Sequence, residues 1–165
     1  GDLLALFISE KVQTGLSLVD TVLKVKELGG VCIAPHPMAN GLGMNSLSAY
    51  SILKALRNQE VADTLIGIES YNATVLNKIS NHYAAILGLR ANLPQTGSSD
   101  AHTQEAIGLG TTEFDGHTAK QFLAALRHGQ TRVRKQKEWT AFRILGSWAA
   151  NYIGSSLMRW GWVAQ

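Results

Sequence analysis

The chain has 165 residues, 45% of them hydrophobic and 16% charged, so it can bury a core and intrinsic disorder is excluded as the default. Its 16 Gly and three Pro exclude collagen-like and proline-rich architectures, and no internal repeat marks a solenoid. The net charge of +3 hides an asymmetry, −3 up to Leu126 and +6 from Arg127 onward.

In chain order, Gly1 leads at once into the apolar run Leu3 to Ile8, with neither a charged leader nor a small-residue cleavage site. That opening reads as a strand entered mid-fold. A turn at Thr14 and Gly15 precedes Ser17, which caps a helix over 18–28 with Asp20 at the capping-box position. Leu18, Val22 and Val25 recur at helical spacing, and Gly29 and Gly30 supply left-handed residues that stop the helix. Val31 to Ala34 is the next strand. It holds the single Cys32, so no intrachain disulfide can form, and the reducing cytoplasm is the expected location. A Gly-rich loop from Asn40 to Asn45 lacks the Lys-Ser or Lys-Thr ending of a phosphate-cradling loop and is read as a rim over a site. A helix near Leu47 to Arg57 follows.

The alternation then repeats. Leu65 to Ile68 reads as a strand, and Asn72 as the cap of a helix whose face is Val75, Ile79, Tyr83 and Ile86. Gln95 to Ser98 is a further strand, Ile107 to Phe114 an extended segment, and Thr118 with Gln121 a second capping box for a helix running to Gly129. Thr131 to Arg134 is an edge strand. Such alternation predicts an α/β fold with a mostly parallel sheet, either open or part of a barrel. Composition changes near Lys137, which divides a body, 1–137, from an aromatic-rich C-terminal extension, 138–165, carrying all four Trp. The extension is expected to be helical from about Trp139 to Trp160. Its docking face is Phe142, Leu145, Ala149, Tyr152 and Trp160, set against the body, another chain or a membrane surface, in that order.

Three polar residues end apolar strands. Pro35 and Pro37 hold His36 in extended backbone at a strand terminus, where α/β folds build their sites. Asp100 and His102, two residues apart, share one face if the chain stays extended. Carboxylate with imidazole suits borderline divalent ions, or alternatively Asp100 orients His102 from behind. Glu69 reads as a loop or supporting carboxylate, and His82, His117 and His128 as surface or helix-end residues.

Taken together, Gly1-Asp2-Leu3-Leu4-Ala5-Leu6, Gly30 to Pro37, Gly67 to Asn72 and Gly97 to His102 resemble, in order and spacing, the later motifs of the PHP (polymerase and histidinol phosphatase) family. The resemblance covers about residues 1–134. It implies part of a distorted (β/α)7 barrel lacking its N-terminal strands, followed by the C-terminal helix. It also implies His36, Asp100 and His102 as metal ligands, with Asp2 standing where many members have a histidine. The implied cofactors are divalent ions, Mn²⁺, Zn²⁺ or Fe²⁺, with Mg²⁺ also compatible. The implied activity is hydrolysis of a nucleotide, a short oligonucleotide or a small phosphomonoester. The family's opening His-x-His has no counterpart here, so the expectation is a truncated enzyme. The alternative is a catalytically incomplete half-domain serving as a binding or regulatory module.

Overall fold

The computed structural model describes residues 1–39 and 45–150. The Gly-rich loop read as a rim therefore lies, from Asn40 to Met44, outside the described residues, as does the extension from 151 onward with Tyr152 and Trp160. The elements are β1 (Leu4–Leu6), α1 (Leu18–Glu27), β2 (Val31–Ala34), α2 (Ala49–Ala55), α3 (Gln59–Ala62), β3 (Leu65–Asn72), α4 (Ile79–Arg90) and β4 (Gln95–Ser98). A 3₁₀ turn (Gln104–Ala106), β5 (Gly110–Glu113), α5 (Ala119–Arg127) and β6 (Arg132–Lys135) follow. A last helix, α6, occupies 141–150.

The main sheet has the order β1-β2-β3-β4, with β2, β3 and β4 parallel, as the alternating periods require, and β1 antiparallel to β2. Strands β5 and β6 form a separate antiparallel ribbon. The ribbon is clasped to β4 by hydroxyls: that of Thr112 accepts from the Gly97 amide at 2.9 Å and donates to the Gly97 carbonyl at 2.8 Å, and that of Thr131, just before β6, donates to the Gln95 carbonyl at 2.9 Å. Architecture is thus α/β, as the pattern predicts.

Local signals set the helix ends. Ser17 Oγ accepts from the Asp20 amide at 3.2 Å, and Thr118 with Gln121 forms the complete capping box. Gly29 takes the left-handed conformation (φ 77°) after α1. Gly30 does not, and is needed for a different reason: a Cβ there would meet the Leu6 carbonyl oxygen at 2.6 Å and Val25 Cγ1 at 2.9 Å. Helix α1 buries Val22 and Val25 against β2, as its periodicity predicts.

Helix α4 departs from its predicted cap and face. Its N-cap is Lys78, and Asn72 instead ends β3, its side chain accepting from the Thr74 and Val75 amides. Ile79 and Tyr83 are 61% and 55% exposed, while Ser80, Ala84, Leu87 and Gly88 are buried. Small residues let the helix lie close on the sheet; a Cβ at Gly88 would stand 2.9 Å from Ile68 Cγ2.

Two apolar clusters result. The first joins Val22, Val25, Cys32, Ile52, Val61, Leu65 and Ile68 beneath the parallel strands. The second joins Tyr71, Ala73, Ala106, Leu109, Trp139 and Ile144, with Trp148 partly buried against it. The described part of the C-terminal extension, 138–150, therefore packs on the body, but not through the Phe142 and Leu145 of its expected face. Phe142 is 90% exposed and Leu145 is exposed too, because the docked stripe runs through Trp139, Ile144 and Trp148, one turn-set round the helix.

Candidate functional site

The carboxyl ends of β2, β3 and β4 lie side by side, so the residues that follow them share one rim. His36 lies just beyond β2, Glu69 and Asn72 within β3, and Asp100 just beyond β4. Glu69, expected as a loop or supporting carboxylate, is 3% exposed within the strand, in the supporting position. One carboxylate oxygen accepts from the His36 backbone amide at 2.6 Å and from Asn72 Nδ2 at 3.0 Å. The other accepts from the Ser98 hydroxyl. Burial pushes the Glu69 carboxyl above its ordinary range, while the bonds from Ser98, Asn72 and His36 oppose that rise.

Asn72 Nδ2 also donates to Asp100 Oδ2 at 3.1 Å, so a continuous polar strut runs from His36 through Glu69 and Asn72 to Asp100. The Thr74 hydroxyl holds the backbone at the far end, 2.9 Å from both the Ser99 and the Asp100 carbonyl oxygens. His36 and Asp100 are both left-handed, with φ of 28° and 46°. Non-glycine residues hold that conformation at a cost of about 1–3 kcal/mol and do so only where the surroundings fix them, commonly at functional sites. The strut is what fixes these two.

This geometry revises two expectations. His36 is not in extended backbone, despite its two prolines, and the chain is not extended through Asp100. Asp100 and His102 consequently do not project in parallel from one strand. The Asp100 carboxylate turns inward to Asn72, and His102 Nδ1 bonds the Asp100 carbonyl oxygen at 2.8 Å with its ring 5.3 Å from that of Trp148.

Hydrogen bonding assigns the imidazole protons. The Ser46 hydroxyl donates its one proton to the Ala39 carbonyl at 2.7 Å, so at 3.1 Å from it His36 Nδ1 must be the donor. The lone pair of neutral His36 therefore sits on Nε2. Facing it at 3.9 Å is Asp2 Oδ2, another acceptor. The carbonyl partner of His102 Nδ1 likewise puts its proton on Nδ1 and its lone pair on Nε2. A backbone or hydroxyl partner on Nδ1 fixes the tautomer in which Nε2 is the nitrogen able to ligate a metal ion. Among the described residues no three His, Cys, Asp or Glu side chains gather within range of one ion. The structure thus brings Asp2 to His36 and ties His36 to Asp100 through the strut, with His102 on the Asp100 backbone.

Sequence reasoning passed over Ser46 and gave Asn72 a helix-capping role. Glu69 carried a visible signal, an ionisable residue amid Ile66, Gly67 and Ile68.

Residues 78–131, which span α4, β4, Asp100, His102, β5 and most of the α5 connection to β6, match the family model described as PHP-associated. An uncharacterised protein of Methanocaldococcus jannaschii is 38% identical over 85 residues, covering 51% of this chain and 43% of that protein. The chain thus spans under half the length of this curated relative. A solved structure from Bifidobacterium adolescentis, named a candidate metal-dependent phosphoesterase, is similar at 24% identity and a TM-score of 0.41, covering 52% of this chain and 28% of that one. So slight a likeness in shape carries no argument. Among the described residues no helix is long and apolar enough to cross a membrane.

Proposed function

We propose that this chain is the C-terminal part of a PHP-type metal-dependent phosphoesterase, and that a longer protein completes the (β/α)7 barrel around it. The observation that carries the reading is His36 Nε2 facing Asp2 Oδ2 at 3.9 Å. With His36 neutral, these are two electron-rich atoms placed to share a cation. Nitrogen with carboxylate oxygen is a donor set suited to Mn²⁺, Zn²⁺ or Fe²⁺. Asp2, His36, Asp100 and His102 are the residues that would hold such ions, and the PHP-associated match over 78–131 supports the last two.

A divalent ion so held supplies a water of lowered pKa and neutralises charge on a phosphoryl group. The chain's own residues do the positioning. Glu69 fixes the His36 backbone, Asn72 holds Asp100 Oδ2, and Ser46 sets the His36 tautomer. The substrate class is a phosphate ester, whether nucleotide, short oligonucleotide or small phosphomonoester.

The full-length protein loaded with Mn²⁺ or Zn²⁺ is to be assayed on p-nitrophenyl phosphate and on a short oligonucleotide, before and after chelation. Hydrolysis that is lost with the metal and with Asp100→Asn is expected. Failure of the metal-loaded protein on every such ester overturns the reading. Asn72→Ala is expected to weaken ion affinity by about 10- to 100-fold, read by isothermal titration calorimetry, because supporting residues of metal ligands act on that scale.

A further inference from the structure

Beside Asp100 the 3₁₀ turn and α6 face each other across an open cleft of about 760 Å³, bordered by His102, Thr103 and Glu105 on one wall and Trp139, Arg143 and Ser147 on the other. Three features of this cleft have no part in the strut. The Arg143 guanidinium lies over the Trp139 ring, 4.5 Å from its centroid, and Trp139 is itself buried in the second apolar cluster. A planar cation stacked on a fixed ring is held in place without spending its N–H donors, which remain for a ligand. Among the described residues Arg143 makes no ion pair, whereas Arg132 and Arg134 are paired with Asp115 and Glu113. The Thr103 hydroxyl on the opposite wall is buried and has no partner.

We propose that this cleft is the anion-binding subsite of the enzyme, with Arg143 as the residue that contacts an oxygen of a phosphate ester. The inference rests on the phosphoesterase reading for its ligand class. It goes beyond that reading by placing a substrate-contacting cation on the C-terminal extension, outside the segment related to the PHP family, 78–131. Arginine suits the task because its fork of donors matches phosphate oxygens two at a time. Glu105 shares the cleft, and its carboxylate opposes an anion. The subsite therefore combines one attracting and one repelling charge beside the rim, so that a ligand must satisfy Arg143 while keeping clear of Glu105. The second apolar cluster gives the arrangement its rigidity, since the same Trp139 that anchors α6 also orients the guanidinium.

The test uses inorganic phosphate as the probe and the metal-free, full-length protein, followed by two-dimensional NMR of arginine Nε–H groups. Saturable binding that shifts the Arg143 signal is expected, weakened roughly tenfold in Arg143→Gln, as for loss of a charge-assisted hydrogen bond. Arg143→Lys should retain part of the affinity, and Glu105→Gln should strengthen it. An unchanged thermal midpoint in Arg143→Gln shows that folding is intact. Phosphate affinity that is equal in wild type and Arg143→Gln, or absent from both, overturns the subsite. The two readings fail separately. Metal-dependent hydrolysis with an unaltered KM in Arg143→Gln removes the subsite and leaves the enzyme, whereas Arg143-dependent phosphate binding without hydrolysis removes the enzyme and leaves the subsite.

Discussion

The two apolar clusters are built differently. The first is aliphatic and is assembled by consecutive strand and helix units, α1 to α4 over β2 and β3. The second is centred on two aromatic rings, Tyr71 and Trp139, and joins three places far apart in the chain: the end of β3, the turn after Asp100, and the start of the extension. Strand β3 belongs to both, giving Leu65 and Ile68 to one and Tyr71 to the other, with Glu69 between them. The first cluster therefore holds up the rim, and the second shapes the cleft beside it. Damage to one should spread through the whole fold, while damage to the other should stay near the cleft.

The sharpest way to break this contrast is Ile68→Ala. Removing a fully buried side chain beneath the strut should cost about 2–5 kcal/mol and lower the urea midpoint for every probe together. Loss confined to one probe would show that the clusters do not share β3 as a single cooperative unit. A milder change, Ile144→Val in α6, should cost about 0.5–1.5 kcal/mol, with phosphate affinity at Arg143 falling while the stability of the first cluster, followed by amide exchange in β2, stays put. Equal loss of protection in both regions would erase the distinction.

The smallest effect concerns Cys32, in the first cluster, whose thiol is pushed up to about 12 by burial. A folded-state pKa above the unfolded one means that the native chain binds the proton more tightly. This contribution is fully present below the unfolded thiol pKa, about 8.5, and is lost as pH rises towards 12. At pH 8 a thiol reagent should label Cys32 only as fast as the chain opens, and immediate stoichiometric labelling of folded protein would contradict the burial.

Much of the first cluster was legible. Val22 and Val25 follow helical spacing, Val31 to Ala34 is a bare apolar run, and Ser17 and Thr118 announce their helices, because each signal depends on neighbours a few residues away. His36, Asp100 and His102 were singled out for the same reason, each lying at a local boundary. Their connection was not visible. Glu69 reaches His36 across 33 residues and Asn72 reaches Asp100 across 28, and side-chain bonds of that span leave no periodic trace. The prolines round His36 even pointed to extended backbone, whereas the Glu69 bond to its amide accompanies a left-handed turn. Likewise 3.6-residue spacing fits several faces of so apolar a helix as α6, and only the body, through Tyr71 and Leu109, chooses Trp139 and Ile144.

The Thr112 clasp has a consequence for how the sheet meets other chains. An uncovered outer strand offers its amides and carbonyls to any extended segment, and proteins that leave it bare risk stacking into aggregates. By occupying both polar groups of Gly97, the Thr112 side chain blunts the middle of the β4 border of the main sheet and ties the β5 and β6 ribbon to it. The opposite border, the three-residue β1 with Leu4 exposed, has no such cover among the described residues. Among the described residues, the polar groups left open for an extended segment therefore lie on the β1 side.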